Sequence, residues 1–316
     1  MSAQHRATSL AQVRPAPGPL HLAIGMFDGV HLGHQAVIEA ALHSAKQSGG
    51  VTAVLTFHPH PSRLFHPQSP TLLLMPPEQK ARFLREFGVD LIIAQPFTRK
   101  FARLPAGHFL AYLKKHLPSL AAVYVGENFR FGHKRAGDVD LLVHSGRDLG
   151  LTVVSIARLR HNGRPVSSTR IRELLARGAI DEASRLLGYT YYCEGIVQPG
   201  RKLGRKIGFP TLNLAWEPEA QPALGVYAVR LRTSHGRWRR GVANYGHRPT
   251  VERRGPVKPL LETHLLGRGP APGPRAKVRV EWLEFLRPER KFPSLKALKK
   301  QIARDCVAAE KRFKKQ

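Results

Sequence analysis

The sequence predicts an α/β domain with a parallel sheet, followed by a small all-β barrel and a C-terminal helix. Three observations carry this expectation. From residue 20 to residue 187, apolar runs short enough to be buried strands alternate with helical stretches, the rhythm of a parallel sheet with crossover helices. Beyond Gly188, short alternating runs are separated by Gly and Pro turns, an all-β signature that suggests a barrel. A last helical pattern then places Leu295, Leu298, Ile302, Cys306, Ala309 and Phe313 on one face. At 316 residues and 42% hydrophobic, the chain is long enough for two ordinary cores.

Taken in order, strands are expected over 20–24, 51–57, 90–94, 121–125 and 151–157, and helices over 35–47, 77–87 and 106–116. Two further helices, 170–177 and 181–187, end at Gly188, which suits the left-handed turn past a helix end. The β-rich half reads as strands over 191–197, 225–232, 237–244, 260–266 and 277–285, and Ser294 is an N-cap candidate for the final helix. Cys306 then belongs to a packed face and is not a ligand. The expected organisation is a flexible segment over 1–18, a first domain over 19–187 and a second over 188–316.

Charge and cysteine content narrow the function classes. With 23% charged residues and no apolar run of bilayer length, a membrane-spanning chain and a disordered one are both excluded. Two cysteines far apart, Cys193 and Cys306, exclude a disulfide scaffold and a multi-cysteine zinc cluster. Residues 1–19 lack the apolar core of a secretory signal, so the expected location is the cytoplasm. Fifty-one Lys+Arg against 22 Asp+Glu leave a net charge of +29, which attracts phosphates of any kind. Because these residues are spread along the chain, a solvated basic surface competes with a nucleotide-using enzyme and with an RNA-binding protein.

The first constellation follows strand 20–24. Gly25-Met26-Phe27-Asp28-Gly29-Val30-His31-Leu32-Gly33-His34 runs straight into a helix, whose N-terminal N–H groups and dipole favour an anion. His31 and His34, three apart, can face one phosphate and offset charge developing on phosphorus and on a pyrophosphate leaving group. The plain alternative is a turn followed by a helix cap. Polar clusters recur after the other strands: His58-Pro59-His60-Pro61, Gly126-Glu127-Asn128-Phe129-Arg130-Phe131-Gly132 and Ser167-Ser168-Thr169-Arg170-Ile171-Arg172. The carboxyl ends of strands in an open α/β sheet line one crevice, so these segments are expected to converge. Ser168 and Thr169 can donate to phosphate oxygens and Arg172 can reach the β and γ phosphates, although the Ser-Ser-Thr run also reads as an N-cap. Phe129 and Phe131 can pack on a planar ring and Asn128 can read its polar edge; core packing is the competing reading for both Phe.

The second constellation is the basic, glycine-rich stretch 195–213. Gly200, Gly204 and Arg205 belong to a loop able to lie over phosphates. Pro210 favours an extended segment in which Thr211 and Asn213 point to one side, two neutral oxygens that suit Mg²⁺. Glu262 interrupts the apolar run 260–266, where a carboxylate needs a role or a partner. It reads either as a general base for an alcohol or as a strand residue paired with a basic side chain.

GMFDGVHLGH, FHPHP, VGENFRFG and SSTRIR, in this order, resemble the adenylyltransferase half of the bacterial bifunctional riboflavin kinase/FAD synthetase family, an HxGH nucleotidyltransferase domain. GRKLGRKIGFPTLN, GVYAV, GVANYGHRPT, LLETHLL and FLRPERKF resemble its riboflavin kinase half, a small β-barrel. The resemblance implies phosphorylation of riboflavin to FMN in the second domain and transfer of AMP from Mg-ATP to FMN, giving FAD and pyrophosphate, in the first. It places His31, His34 and Arg172 on the phosphates, with Gly25, Phe27, Asp28, Gly33, His58, Asn128, Phe129, Phe131, Ser168 and Thr169 around the nucleotide and flavin. In the kinase half it implies Gly200, Gly204 and Arg205 at ATP, Thr211 and Asn213 on Mg²⁺, and Glu262 activating the ribityl hydroxyl. Small-molecule substrates are the expected partners, with neither membrane nor nucleic acid among them. Two departures stand out: Leu212 replaces an alanine, with its side chain expected to point away from Thr211 and Asn213, and the stretch 267–274 stands where the family has an Asp-Phe pair and a Leu-Tyr-Gly turn, which leaves the flavin-side lid and the affinity for riboflavin open.

Overall fold

The computed structural model describes residues 6–199, 203–234, 236–247, 259–267 and 269–314, excluding the side chains of Leu203 and Lys206. By packing, the chain divides into two compact units, Met1–Ser168 and Thr169–Gln316. The expectation had placed this division at 187/188.

In the first unit, strands β1 (Arg6–Ala7), β2 (Leu20–Ile24), β3 (Val51–His58), β4 (Leu91–Pro96), β5 (Leu120–Gly126) and β6 (Thr152–Ile156) form one sheet, in the order β1-β4-β3-β2-β5-β6. Every pairing is parallel. Its central strands are apolar almost without alternation because both faces are covered; β2 is buried at all its positions. His21 of β2 turns its ring to Ser48 at the end of helix α1 (Leu32–Ser48). Leu20, Leu22 and Ile24 point the other way, into a cluster with Phe109, Leu110, Leu113 and Leu142. The helices that supply this opposite layer include α5 (Phe109–His116) and α6 (Val139–Asp148), the latter not anticipated from the sequence. Around them lie α2 (Pro61–Phe65), α3 (Pro77–Glu86), α4 (Arg99–Ala102) and the hairpin of β7 (Arg160–His161) with β8 (Arg164–Pro165).

The expected flexible segment is ordered from residue 6 onward. Arg6 and Ala7 add an edge strand beside β4, Leu10 is buried, and its N–H donates to Gln95 Oε1 at 2.8 Å. Apolar side chains at 7 and 10 cover the sheet edge, and Arg6 pairs with Glu78 at 2.7 Å. Residues 1–5 of that segment lie outside the described residues.

The second unit begins with α7 (Ser168–Ala176, from Thr169) and α8 (Ile180–Leu187). Both pack with the barrel, which is why the compact boundary falls before them. The Ala223 N–H donates to Leu175 O at 2.9 Å, and Gly178, at φ 76, lies so near the Phe285 ring that a Cβ would sit 2.9 Å from it. The barrel strands are β9 (Tyr192–Gln198), β10 (Thr211–Ala215), β11 (Gly225–Thr233), β12 (Arg239–Gly246), β13 (Leu260–Leu265) and β14 (Lys277–Pro288), with α9 (Leu203–Lys206) between the first two. They close as β10-β13-β12-β11-β14-β9, antiparallel throughout. Irregularities in the β11–β14 register help the long strand curve. Trp282, Tyr227 and Tyr245 are fully buried; ring contacts of 4.5 and 5.7 Å join the two tyrosines to the indole.

Helix α10 (Leu295–Lys314) lies on the outer face of β11, β12 and β14, where Ala309 and Phe313 join Val226, Ala228, Val242 and Leu283. Ser294 caps it, its Oγ accepting from the Ala297 N–H at 3.1 Å, and Cys306 packs against the cluster. Leu295, expected on the packed face, is 59% exposed, because the first turn precedes the part of the helix that meets the barrel.

Candidate active sites

Strands β2 and β5 are neighbours, and the chain leaves them in opposite directions, to β3 and to β6. That is the switch point at which open α/β sheets bind ligands. The turn after β2 occupies it. Phe27 (φ 50), Gly29 (φ 77) and Val30 (φ 36) are all left-handed, which is costly for a β-branched residue and persists only where the surroundings over-determine it. Here they do: Phe27 and Val30 are buried, Gln35 Nε2 donates to Val30 O at 2.7 Å, the Leu74 N–H donates to Asp28 Oδ1 at 2.9 Å, and Ser168 Oγ donates to Asp28 O at 2.9 Å.

This turn delivers His31 as the N-cap of α1. Its Nδ1 accepts from the His34 N–H at 3.3 Å, so the ring proton resides on Nε2. The two imidazoles stack with centroids 3.5 Å apart and planes 15° apart, and Phe27 meets His34 edge-on at 5.4 Å. Gly33 leaves room for this arrangement; a Cβ there would stand 3.3 Å from His31 Cε1. Burial first, then His31 and then Lys80, hold the His34 pKa well below the ordinary histidine value. His34 is therefore a neutral hydrogen-bonding group at pH 7. Its Nδ1 is buried with no partner among the described residues. Lys80 of α3, unremarked in the sequence, reaches Met26 O at 2.8 Å and Thr56 Oγ1 at 2.9 Å.

The other expected residues of this site are placed unequally. His58 is exposed at the carboxyl end of β3, and Asn128 is exposed in the turn after β5. Gly25 ends β2 with the Phe27 ring so close that a Cβ would meet it at 3.0 Å. Phe131 is 6% exposed, stacked on Phe129 at 5.6 Å and against Phe109 at 4.9 Å, so its ring serves the core and is not offered to a ligand. Phe129 is only partly buried beside it. Thr169, exposed, and Arg172, half-buried, lie on α7 with the second unit.

In the barrel, register does the assembling. Residues directly opposite on paired strands share a face, and Glu262 of β13 stands opposite Asn213 of β10 on one side and Asn244 of β12 on the other. Thr211, two residues before Asn213, lies on that same face. Leu212 pairs with Thr263 and so faces the opposite way, as expected. Asn213 is buried at 4% exposure, and its Oδ1 has no hydrogen-bond partner among the described residues. A buried acceptor without a donor is costly and fits a cation. Gly204 is required by close packing, since a Cβ would lie 2.3 Å from Phe209 O. Arg205 is exposed beside it, and Gly200 lies outside the described residues. Asn244 escaped the sequence reading; its only signal is an amide interrupting the apolar run of β12. Within 267–274, Gly267 (φ 76) and Gly269 (φ 130) are left-handed, and Arg239 Nη1 donates to Pro270 O at 2.7 Å.

Comparison with known proteins bears on both units. The FAD synthetase family profile matches residues 14–170 and the riboflavin kinase profile matches residues 187–313. The bifunctional riboflavin kinase/FMN adenylyltransferase of Escherichia coli K12 is 37% identical over 293 residues, 92% of each chain. That of Bacillus subtilis 168 is 35% identical over 295 residues, again 92% of each. A crystal structure described as a macrolide-efflux protein from Streptococcus pneumoniae has a TM-score of 0.86 at 26% identity, covering 98% of this chain and 99% of that one. Among the described residues here, no helix is long and apolar enough to cross a membrane. With two consecutive profiles over two consecutive architectures, and relatives matched along nearly their full length, the chain belongs to the bifunctional riboflavin kinase/FMN adenylyltransferase family, its FAD synthetase domain N-terminal and its flavokinase domain C-terminal.

Proposed function

We propose that adenylyl transfer takes place at the mouth of α1 and riboflavin phosphorylation on the Asn213–Glu262–Asn244 face of the barrel. The stacked His31–His34 pair at a helix N-terminus, on the switch point of the sheet, is the observation that most supports the first assignment. An FMN phosphate oxygen attacks the α-phosphorus of ATP, the bond to the β-phosphate oxygen breaks, and pyrophosphate leaves. In this reading His31 Nε2–H, His34 and the first N–H groups of α1 donate to the phosphates, joined by Ser168. Gly25 and Gly33 allow close approach, while Phe27, Asp28 and His58 shape the nucleotide site and Asn128 and Phe129 face the flavin. Preorganised donors of this kind stabilise charge that develops only in the transition state.

On the barrel face, Thr211 and Asn213 would hold Mg²⁺, a fit supported by the unpartnered Asn213 Oδ1 and by the preference of Mg²⁺ for neutral oxygens alongside phosphates. When bound, the ion would offset negative charge on the ATP phosphates. Glu262 accepts the proton of the ribityl hydroxyl as its oxygen bonds to the γ-phosphorus, and ADP leaves with the electron pair of the broken bond. Asn244 stands directly across from Glu262 on β12 and is placed to orient it. Gly204 and Arg205, on α9, lie against the ATP phosphates in this reading. The reactions use small molecules alone, without nucleic acid, and cytoplasmic location accords with them.

The test is a crossed pair of variants in the intact chain, given riboflavin and Mg-ATP, with FMN and FAD separated by chromatography. His31→Ala should accumulate FMN without FAD. Asn213→Ala should make no FMN from riboflavin yet convert added FMN to FAD. No FMN from riboflavin in His31→Ala, or no FAD from added FMN in Asn213→Ala, would refute the division of labour.

A further inference from the structure

We propose that Lys80 is a positioning residue for adenylyl transfer, tying the turn after β2 to β3 and fixing a positive charge behind the His31–His34 pair. The proposal rests on the reading that this turn binds the ATP phosphates. Lys80 comes from α3, a helix outside every motif of the site, and its ammonium bridges two carboxyl strand ends: Met26 O in the turn at 2.8 Å and Thr56 Oγ1 on β3 at 2.9 Å. Thr56 Oγ1 itself donates to Met26 O at 3.0 Å, so three groups close a small ring directly before the left-handed Phe27. A turn with Phe27 and Val30 in costly backbone regions needs such bracing, and a shift of the order of 1 Å in a phosphate-binding backbone is felt strongly in rate.

The charge has its own consequence. Two of the three ammonium N–H groups are used by Met26 and Thr56. The titratable groups that interact with Lys80 are Asp28 on the turn and His34 on α1. Asp28 favours the charged lysine, whereas burial outweighs it and lowers the Lys80 pKa to about 8. Lys80 thus remains a cation at pH 7 and loses its proton as pH rises through about 8. Its neighbour His34 is neutral throughout, so Lys80 is the cation nearest the imidazole pair in that cluster.

The experiment measures FAD formation from FMN and Mg-ATP by the full chain between about pH 6.5 and 9.5, a window chosen around the Lys80 value of about 8. Riboflavin phosphorylation by the same sample is the internal control. Lys80→Met should lower kcat for FAD formation by about 30- to 300-fold, in the range for losing one preorganised charge partner, and abolish the alkaline limb, with FMN formation unchanged. Lys80→Arg should recover part of kcat and carry the alkaline limb upward, because guanidinium does not titrate there. If Lys80→Met loses the unfolding transition of the first unit, Lys80→Arg and Thr56→Val decide: the latter should cost several-fold in kcat while keeping the limb near pH 8. A parental rate and pH profile in Lys80→Met, or in both Lys80→Arg and Thr56→Val, would overturn the proposal. His34→Ala run in parallel separates the two readings: parental FAD formation in that variant overturns the phosphate role of the turn itself, whereas a defect there with intact Lys80 variants overturns the role of Lys80 alone.

Discussion

The two proposed active regions are built by different means. At the mouth of α1, the donors come from one contiguous turn, residues 25–34, whose conformation is set by left-handed backbone, an N-cap and burial. On the barrel, Asn213, Glu262 and Asn244 are far apart in sequence and meet only because three strands pair in one register. The first region is set by main-chain geometry and a helix dipole, so in the proposed reading side-chain replacement leaves a scaffold that should still bind anions. The second uses side chains on a pleated face, where a single-residue slip would turn all of them away.

Substitutions can break or sharpen this contrast. The largest effect is expected for Glu262→Gln, which removes a proton acceptor: riboflavin phosphorylation should fall by about 10² to 10⁴ and raised Mg²⁺ should restore nothing. Asn213→Ala, assayed across Mg²⁺ concentrations, should be partly rescued, since only a ligand is missing. Equal rescue would merge the two roles. Next, His34→Ala should reduce FAD formation by about 10² to 10³ with FMN formation intact, while ATP still binds measurably by calorimetry, because the α1 N-terminus remains.

Smaller effects test the units themselves. A fragment 169–316 retains α7 and α8, whereas 186–316 exposes the barrel surface they cover; the shorter one should unfold at least about 5 °C lower by calorimetry. Equal midpoints would return these helices to the first unit. The smallest is Ser294→Ala, which should cost about 1 kcal/mol in denaturant unfolding through loss of the α10 N-cap, without altering either reaction.

The sequence by itself determined what is local. Strand and helix rhythm defined the parallel sheet and the barrel, and residues 25–34 announced a helix mouth because each of its determinants (glycines, cap and dipole) lies within one turn of chain. That Thr211 and Asn213 share one strand face was legible for the same reason, the two being two residues apart. Tertiary structure decided whatever depends on distant partners. Lys80 sits among Glu78, Arg82 and Arg85, so nothing in the sequence separates it from the other charged residues of its helix, and only the packing of α3 brings its ammonium to Met26 and Thr56. Asn244 became part of a site through cross-strand register, Phe131 was claimed by Phe109 and Phe129, and residues 6–10 became an edge strand and a buried turn because β4 had an edge to cover. The helices 169–187 read as the end of the α/β rhythm, yet their apolar faces found the barrel. Periodicity states that a face will be buried; which surface buries it is a contest between long-range contacts that no window of sequence contains.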